Sequence, residues 1–382
     1  MKITSIEPVT LKHYLFVKIH TDVGIVGLGE AGNWGFLNAT ASAIRKLSEF
    51  LIGQDPFRIE HHYQNMYRAM YFRGSVIMSA ISALEIALWD IKGKALQVPV
   101  YELLGGKTRN RMRTYCSGLS DFNLSTQEMM HQFAEFKNQG FTAGKIFLPE
   151  ITTSEHGERE FFHNKVNIAT EKVQKIREAA GAGFDLILEV HRSMSVSEAI
   201  AFAHAVEPYN PMVLEDPITP DNVDAMAYVA EKTNIPIATG ERFICFQEFE
   251  PLIRRNAAQY VRPDVCAVGG INASRKIAAL AEANNVLVIP HNPLGPVSTA
   301  ACLQLCACIS NASIMELPSF MMNGAEDSMV KNPLQLEQGC LIVPDRPGIG
   351  IELADDAEER YPAQDRAVSQ AYLSFDGSVR DW

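Results

Sequence analysis

Apolar and polar positions alternate through residues 1–30, a period of two that predicts strands. The runs Leu15-Phe16-Val17-Lys18-Ile19-His20 and Ile25-Val26-Gly27-Leu28-Gly29 flank Thr21-Asp22-Val23-Gly24, a hairpin turn sequence. Between 38 and 105 the pattern becomes helical. Gln54-Asp55-Pro56 interrupts it, Ser79–Gly93 reads as a long amphipathic helix, and Pro99 with Gly105-Gly106 closes the region. A meander followed by helices predicts a separate α+β domain.

From Arg113 the rhythm changes to strand then helix. Apolar runs near 114–118, 143–148, 185–190, 212–215, 235–239, 260–263, 286–290 and 313–317 predict strands. Helical patterns lie between them, for example at 170–180, 196–206, 222–232, 247–256, 272–284 and 297–309. This alternation predicts an α/β fold, a (β/α) TIM-type barrel. The polar stretch 149–168 is expected to form an elaborated loop over the rim. The expected domains are an α+β capping domain at 1–112, the barrel at 113–347, and a segment at 348–382 that returns to the cap.

Composition narrows the function. At 382 residues the chain exceeds what one compact core usually holds. Hydrophobic residues at 47% and charged residues at 21% fit a soluble globular protein. The net charge of −11, without a basic tract, argues against nucleic acid. No apolar run reaches membrane-spanning length, and Met1-Lys2-Ile3-Thr4-Ser5 opens no signal-peptide core. The seven cysteines are expected to be reduced in a cytoplasmic protein. Cys302, Cys306 and Cys308 share one helical stretch without a downstream ligand set, and read as core residues.

Three apolar runs each end in a carboxylate: Glu189, Glu215 and Glu241, 26 residues apart each time. That spacing fits one β/α repeat, so the barrel would bring all three acids to one rim. Clustered carboxylates repel, and a hard dication removes the conflict; magnesium suits a site with few carboxylates. His191 follows Glu189 by two residues, and positions two apart on a strand share a face. Asp264 precedes His291 by 27 residues, about one repeat, so a neighbouring carboxylate can orient that imidazole and raise its basicity. Glu316 ends the last strand. Lys145 is a candidate for contact with the substrate or the metal-bound acids, Arg73 for reaching an acid substrate from the cap, and Trp34 for a loop closing over the pocket. Gly27-Leu28-Gly29-Glu30-Ala31-Gly32 matches GxGxxG, but it ends a hairpin rather than opening a βαβ helix, so a dinucleotide site is rejected.

Longer motifs carry a family resemblance: Leu51-Ile52-Gly53-Gln54-Asp55-Pro56, Ala87-Leu88-Trp89-Asp90-Ile91-Lys92-Gly93-Lys94, Thr239-Gly240-Glu241-Arg242, Arg262-Pro263-Asp264 and Pro290-His291-Asn292-Pro293-Leu294-Gly295-Pro296. With them the chain resembles the sugar-acid dehydratases of the enolase superfamily, mandelate racemase branch, over nearly its whole length. Sites of this superfamily are a standard example of a Lys or His base working beside magnesium. The resemblance implies a modified (β/α)7β barrel, a cap completed by the C-terminal tail, and a homo-oligomer. It implies Mg2+ on Glu189, Glu215 and Glu241, His291 as base oriented by Asp264, His191 as general acid, and a protonated Glu316 donating to the substrate carboxylate. The implied reaction dehydrates a sugar acid, such as an aldonate, to a 2-keto-3-deoxy acid through an enediolate.

The chain departs from the dehydratases at Glu189, where the family usually has Asp, and Phe147 stands where racemases carry a second lysine. The second departure argues against two-base racemisation. The alternatives are epimerisation or cycloisomerisation of a sugar acid or lactone, or a catalytically silent sugar-acid binder. A zinc hydrolase is disfavoured because no His-x-His pair ends an early strand.

Overall fold

The structure is a computed structural model. It describes all residues except 33, 34, 70, 118–124, 149–160, 319, 320, 322–326, 365–371, 375, 381 and 382. The candidate Trp34 and most of the 149–168 loop therefore lie outside the described residues.

The cap begins with an antiparallel meander of β1 (Ile3–Leu11), β2 (Tyr14–Thr21) and β3 (Val26–Ala31). The helices α1 (Leu37–Ser48), α2 (Ile59–Ala69), α3 (Ser75–Leu96) and the short α4 (Val100–Leu103) follow. β3 and α3 approach closely. A Cβ built on Gly29 would lie 1.9 Å from the Ala83 carbonyl oxygen, and one on Gly27 would lie 2.2 Å from that of Ala87. The first two glycines of the GxGxxG match thus serve strand–helix packing, and the third, Gly32, lies against the Cys266 backbone. α3 itself is not amphipathic as expected: Met78–Ile91 is buried on every side. It is packed between the meander and α1 on one side and a barrel helix on another, and a helix enclosed this way has no solvent face.

The barrel alternates β4 (Arg111–Cys116), α5 (Thr126–Asn138), β5 (Ala143–Phe147), α6 (Phe162–Ala180), β6 (Asp185–Glu189), α7 (Val196–Val206) and β7 (Val213–Glu215). It continues with α8 (Val223–Glu231), β8 (Ile237–Thr239), α9 (Phe246–Arg254), β9 (Tyr260–Val261), α10 (Gly270–Glu282), β10 (Leu287–Val288), α11 (Pro296–Cys308) and β11 (Met315–Leu317). β4 through β10 pair in order, all parallel. β11 pairs with β4, and a parallel bridge from Val288 to Ala312 joins β10 to the chain entering β11. Pairing therefore runs round to its start through eight strands and seven helices, the (β/α)7β form. A hairpin of β12 (Leu336–Glu337) and β13 (Cys340–Ile342) adds antiparallel to the first half of β4.

Buried carboxylates of the cap tie it to the rest of the chain. Glu85 of α3 accepts from the Ile271 and Asn272 amides at the start of α10, at 2.8 and 3.0 Å. Glu30 of β3 accepts from Gly295 and Ser298 at the start of α11, each at 2.7 Å. The exposed N–H groups of a helix start favour an anion. Asp90 accepts from Leu28 and from Ile349 of the C-terminal tail, both at 2.9 Å. The tail also returns to β1 and β2: the Lys12 amide donates to the Tyr361 carbonyl, and Lys18 pairs with Glu358 at 2.7 Å.

Candidate active site

Tyr115, Ala143, Ile187, Val213, Ile289 and Ile314 belong to one apolar layer inside the ring. Positions two apart on an extended chain face the same side. Two residues on from the last five of these come Lys145, Glu189, Glu215, His291 and Glu316, which form a charged layer above the apolar one.

Glu189 and Glu215 are register partners on β6 and β7. Glu241 does not end its strand as expected, because β8 stops at Thr239. Gly240 turns the chain with φ of 128°, and a Cβ there would lie 2.7 Å from the Phe249 ring, so a glycine is required. After that turn Glu241 joins the other two, and one oxygen from each acid lies within 4.8 Å of the others. Glu189 and Glu215 are almost fully buried. Burial, followed by repulsion from Glu215, pushes the Glu189 carboxyl well above the usual carboxylate range. Glu215 Oε2 is buried and accepts no hydrogen bond among the described residues. A mutually repelling, partly unsatisfied all-oxygen cluster fits a hard dication.

Cations already lie against these acids. Lys145 faces inward, with Nζ 3.1 Å from Glu189, 2.7 Å from Glu215 and 3.3 Å from Glu316. Arg262 is wholly buried and reaches Glu215 at 2.9 Å, Glu316 at 2.6 Å and the Tyr115 hydroxyl at 2.9 Å. This overturns the expectation of a protonated Glu316. Burial alone would raise its pKa, but Lys145 and Arg262 outweigh burial and hold the carboxyl well below the usual range. An ionised Glu316 can only accept hydrogen bonds.

Asp264 and His291 face each other across a parallel bridge, and His291 Nδ1 lies 2.9 Å from Asp264 Oδ2. Nε2 lies 3.5 Å from Glu241 Oε2. Burial opposes a charged ring, but Glu241 and Asp264 outweigh it, and the pKa is raised. His191 is near the cluster for a different reason from the expected one. β6 ends at Glu189, and His191 and Arg192 both adopt left-handed backbone, with φ of 52° and 65°. The His191 amide donates to Glu189 Oε1 at 2.8 Å, and the Arg192 amide donates to the Asp216 carbonyl at 2.7 Å. These bonds hold two residues in a conformation costly for side chains with a Cβ. Arg192 consequently points inward. It meets Glu241 at 2.6 Å, Asp216 at 3.1 Å and His191 Nε2 at 2.9 Å. A guanidinium only donates, so Nε2 accepts and the ring proton sits on Nδ1.

Arg73 stacks on the Tyr67 ring at 4.4 Å, and the Tyr67 hydroxyl is 3.5 Å from Gln247 in α9. That places Arg73 in the cap next to the β8–α9 end of the barrel. Arg192, Asp216 and Arg262 carry no expected role in the sequence reading. Arg262 had a signal: a charged residue one position past an apolar strand and two before Asp264 in Arg262-Pro263-Asp264. Arg192 had none, because strand phase does not extend through two left-handed residues.

Residues 128–357 match the enolase C-terminal domain-like family, and residues 2–105 match the mandelate racemase/muconate lactonizing enzyme N-terminal domain. The chain belongs to the enolase superfamily. It is 36% identical to a D-galactonate dehydratase of Ralstonia pickettii over the full length of both chains. Among solved structures, a putative galactarate dehydratase of Agrobacterium radiobacter, with bound Na and L-malate, superposes with TM-score 0.89 at 29% identity, covering 99% of each chain. A 3,6-anhydro-D-galactonate cycloisomerase of Zobellia galactanivorans superposes with TM-score 0.84 at 30% identity, covering 94% of this chain and 99% of that one. This superfamily member is an enzyme of the hydro-lyase class. Among the described residues no helix is long and apolar enough to cross a membrane.

Proposed function

We propose that the enzyme dehydrates a sugar acid, an aldonate such as galactonate, to a 2-keto-3-deoxy acid. The observation that carries this reading is the Asp264–His291 pair, set with Nε2 against an acid of the Glu189–Glu215–Glu241 cluster. Glu189, Glu215 and Glu241 would hold Mg2+. The ion, when bound, supplies positive charge that offsets the charge developing on the substrate carboxylate as the adjacent proton leaves.

The protein side chains do the rest. Asp264 accepts from Nδ1–H of His291, which leaves the Nε2 lone pair to take the proton next to the carboxylate. The raised pKa of His291 suits a group that must hold that proton. His191 protonates the departing hydroxyl at the next carbon, and the enol then tautomerises to the ketone. For that step His191 must first exchange its bond from Arg192 for a proton on Nε2. Phe147 in place of a second lysine supports a single-base reaction.

The Arg192 contact favours one second reading, cycloisomerisation or epimerisation. These share the proton abstraction but do not need His191 as the acid for a leaving hydroxyl. The deciding experiment is a screen of sugar acids with Mg2+, with assay for a 2-keto-3-deoxy product. An aldonate giving that product supports dehydration. Isomeric products of unchanged mass across the active substrates would refute it.

A further inference from the structure

Four buried side chains, Glu215 of the triad among them, close a ring of alternating charge. Lys145 Nζ lies 2.7 Å from Glu215 Oε1 and 3.3 Å from Glu316 Oε1. Arg262 returns the circuit, with Nε 2.9 Å from the same Glu215 oxygen and Nη2 2.6 Å from Glu316 Oε2. The Nε approach is an ion-pair contact rather than an aligned hydrogen bond. None of the four side chains is more than 3% exposed. Nη1 of Arg262 donates to the Tyr115 hydroxyl at 2.9 Å, so the guanidinium is held on a third side. The Asn292 amide also donates to Glu316 Oε2, at 3.0 Å.

Two consequences follow. Both oxygens of Glu316 are already engaged by the protein. Both cations also converge on a single oxygen of Glu215, Oε1, while Oε2 accepts no hydrogen bond among the described residues. A carboxylate fixed by one oxygen can present the other in a defined direction.

We infer that Arg262 and Glu316 are a positioning pair that holds Glu215 with Oε2 turned to the cation site. This rests on the reading of Glu215 as a magnesium ligand. Orientation and simple charge predict different outcomes. Arg262→Lys keeps the charge and loses the fork, so charge alone leaves cation affinity unchanged, whereas lost orientation weakens it.

The test is calorimetric titration of full-length protein with Mg2+, beside thermal melts and steady-state kinetics. Arg262→Lys is expected to weaken Mg2+ binding about tenfold. Tyr115→Phe removes only the hydroxyl that steadies Nη1, and is expected to weaken it about threefold. The second variant carries the test if the first does not fold. Glu316→Gln is expected to weaken Mg2+ binding. Wild-type Mg2+ affinity in Tyr115→Phe and in any folded Arg262→Lys overturns the inference. Wild-type Mg2+ affinity in a folded Glu316→Gln also overturns it. Wild-type protein that binds no Mg2+ instead overturns the triad reading, and this inference falls with it.

Discussion

Replacing Glu85 tests how the cap is attached. Its carboxylate is fully buried in α3 and accepts three hydrogen bonds: Ile271 N at 2.8 Å, Asn272 N at 3.0 Å and Trp89 Nε1 at 2.8 Å. Glu85→Ala leaves three donors without their acceptor, at about 1–3 kcal/mol each, so about 3–9 kcal/mol of stability should be lost. Glu85→Gln keeps one acceptor oxygen and should lose less. Charge adds a pH signature. Burial, the largest influence, raises the Glu85 pKa to about 7 despite the three donors that lower it. A carboxyl with a folded pKa above its unfolded value of 4.5 binds its proton more tightly in the folded state. Its stabilising contribution is complete below pH 4.5 and is lost as pH rises through about 7. The loss amounts to about 3 kcal/mol, and Glu85→Gln should flatten it. Urea unfolding between pH 5 and 8, followed by tryptophan fluorescence, measures both effects, since Trp89 bonds directly to Glu85. A Glu85→Ala variant within about 1 kcal/mol of wild type would refute the clamp. An unchanged pH slope in Glu85→Gln would refute the titration argument.

Other outcomes are expected from the site and the packing. His291→Asn should lower turnover by about a thousandfold while calorimetric Mg2+ affinity stays near wild type; substantial residual activity would mean that another group is the base. Glu215→Gln should weaken Mg2+ binding, and unchanged affinity by calorimetry would remove it from the metal ligands. Magnesium at a hundred times its Kd should stabilise the fold by about 2.7 kcal/mol in melts, reversed by a chelator; melts that do not respond would count against the triad. Gly29→Ala, whose Cβ would lie 1.9 Å from the Ala83 carbonyl oxygen, should cost about 1–3 kcal/mol or more in denaturant unfolding. A melt like that of wild type would show that β3 and α3 can move apart.

The barrel was readable because its signal repeats. Each short apolar strand was followed by a helix of ordinary length, and the strand positions fell close to the expected ones from β4 to β11. Glu189 and Glu215 were readable from strand phase alone. Glu241 and His191 were located correctly as neighbours of the cluster but for the wrong local reason. A left-handed glycine delivers the first, and two left-handed non-glycine residues deliver the second. Phase arguments fail wherever the chain leaves extended backbone. The protonation of Glu316 was not readable at all, because it depends on Lys145 and Arg262 arriving from two other strands. The burial of α3 was missed because its second face is covered by α10, which comes more than 170 residues later in the chain. The GxGxxG match lies on and just after β3, and its glycines at 27 and 29 stand where that strand meets α3.

Glu30 and Glu85 have a practical meaning for anyone recombining such enzymes. Each is a side chain of one module seated in the helix start of the other, and the two receiving helices follow the strands that lead to Asp264 and His291. Transplanting this cap onto a foreign barrel would leave two buried carboxyl groups without their donors unless the recipient supplied matching amides. A chimera would therefore need its crossover drawn so that both helix starts travel with the donor cap, and the proton-abstracting half of the barrel would be inherited with them.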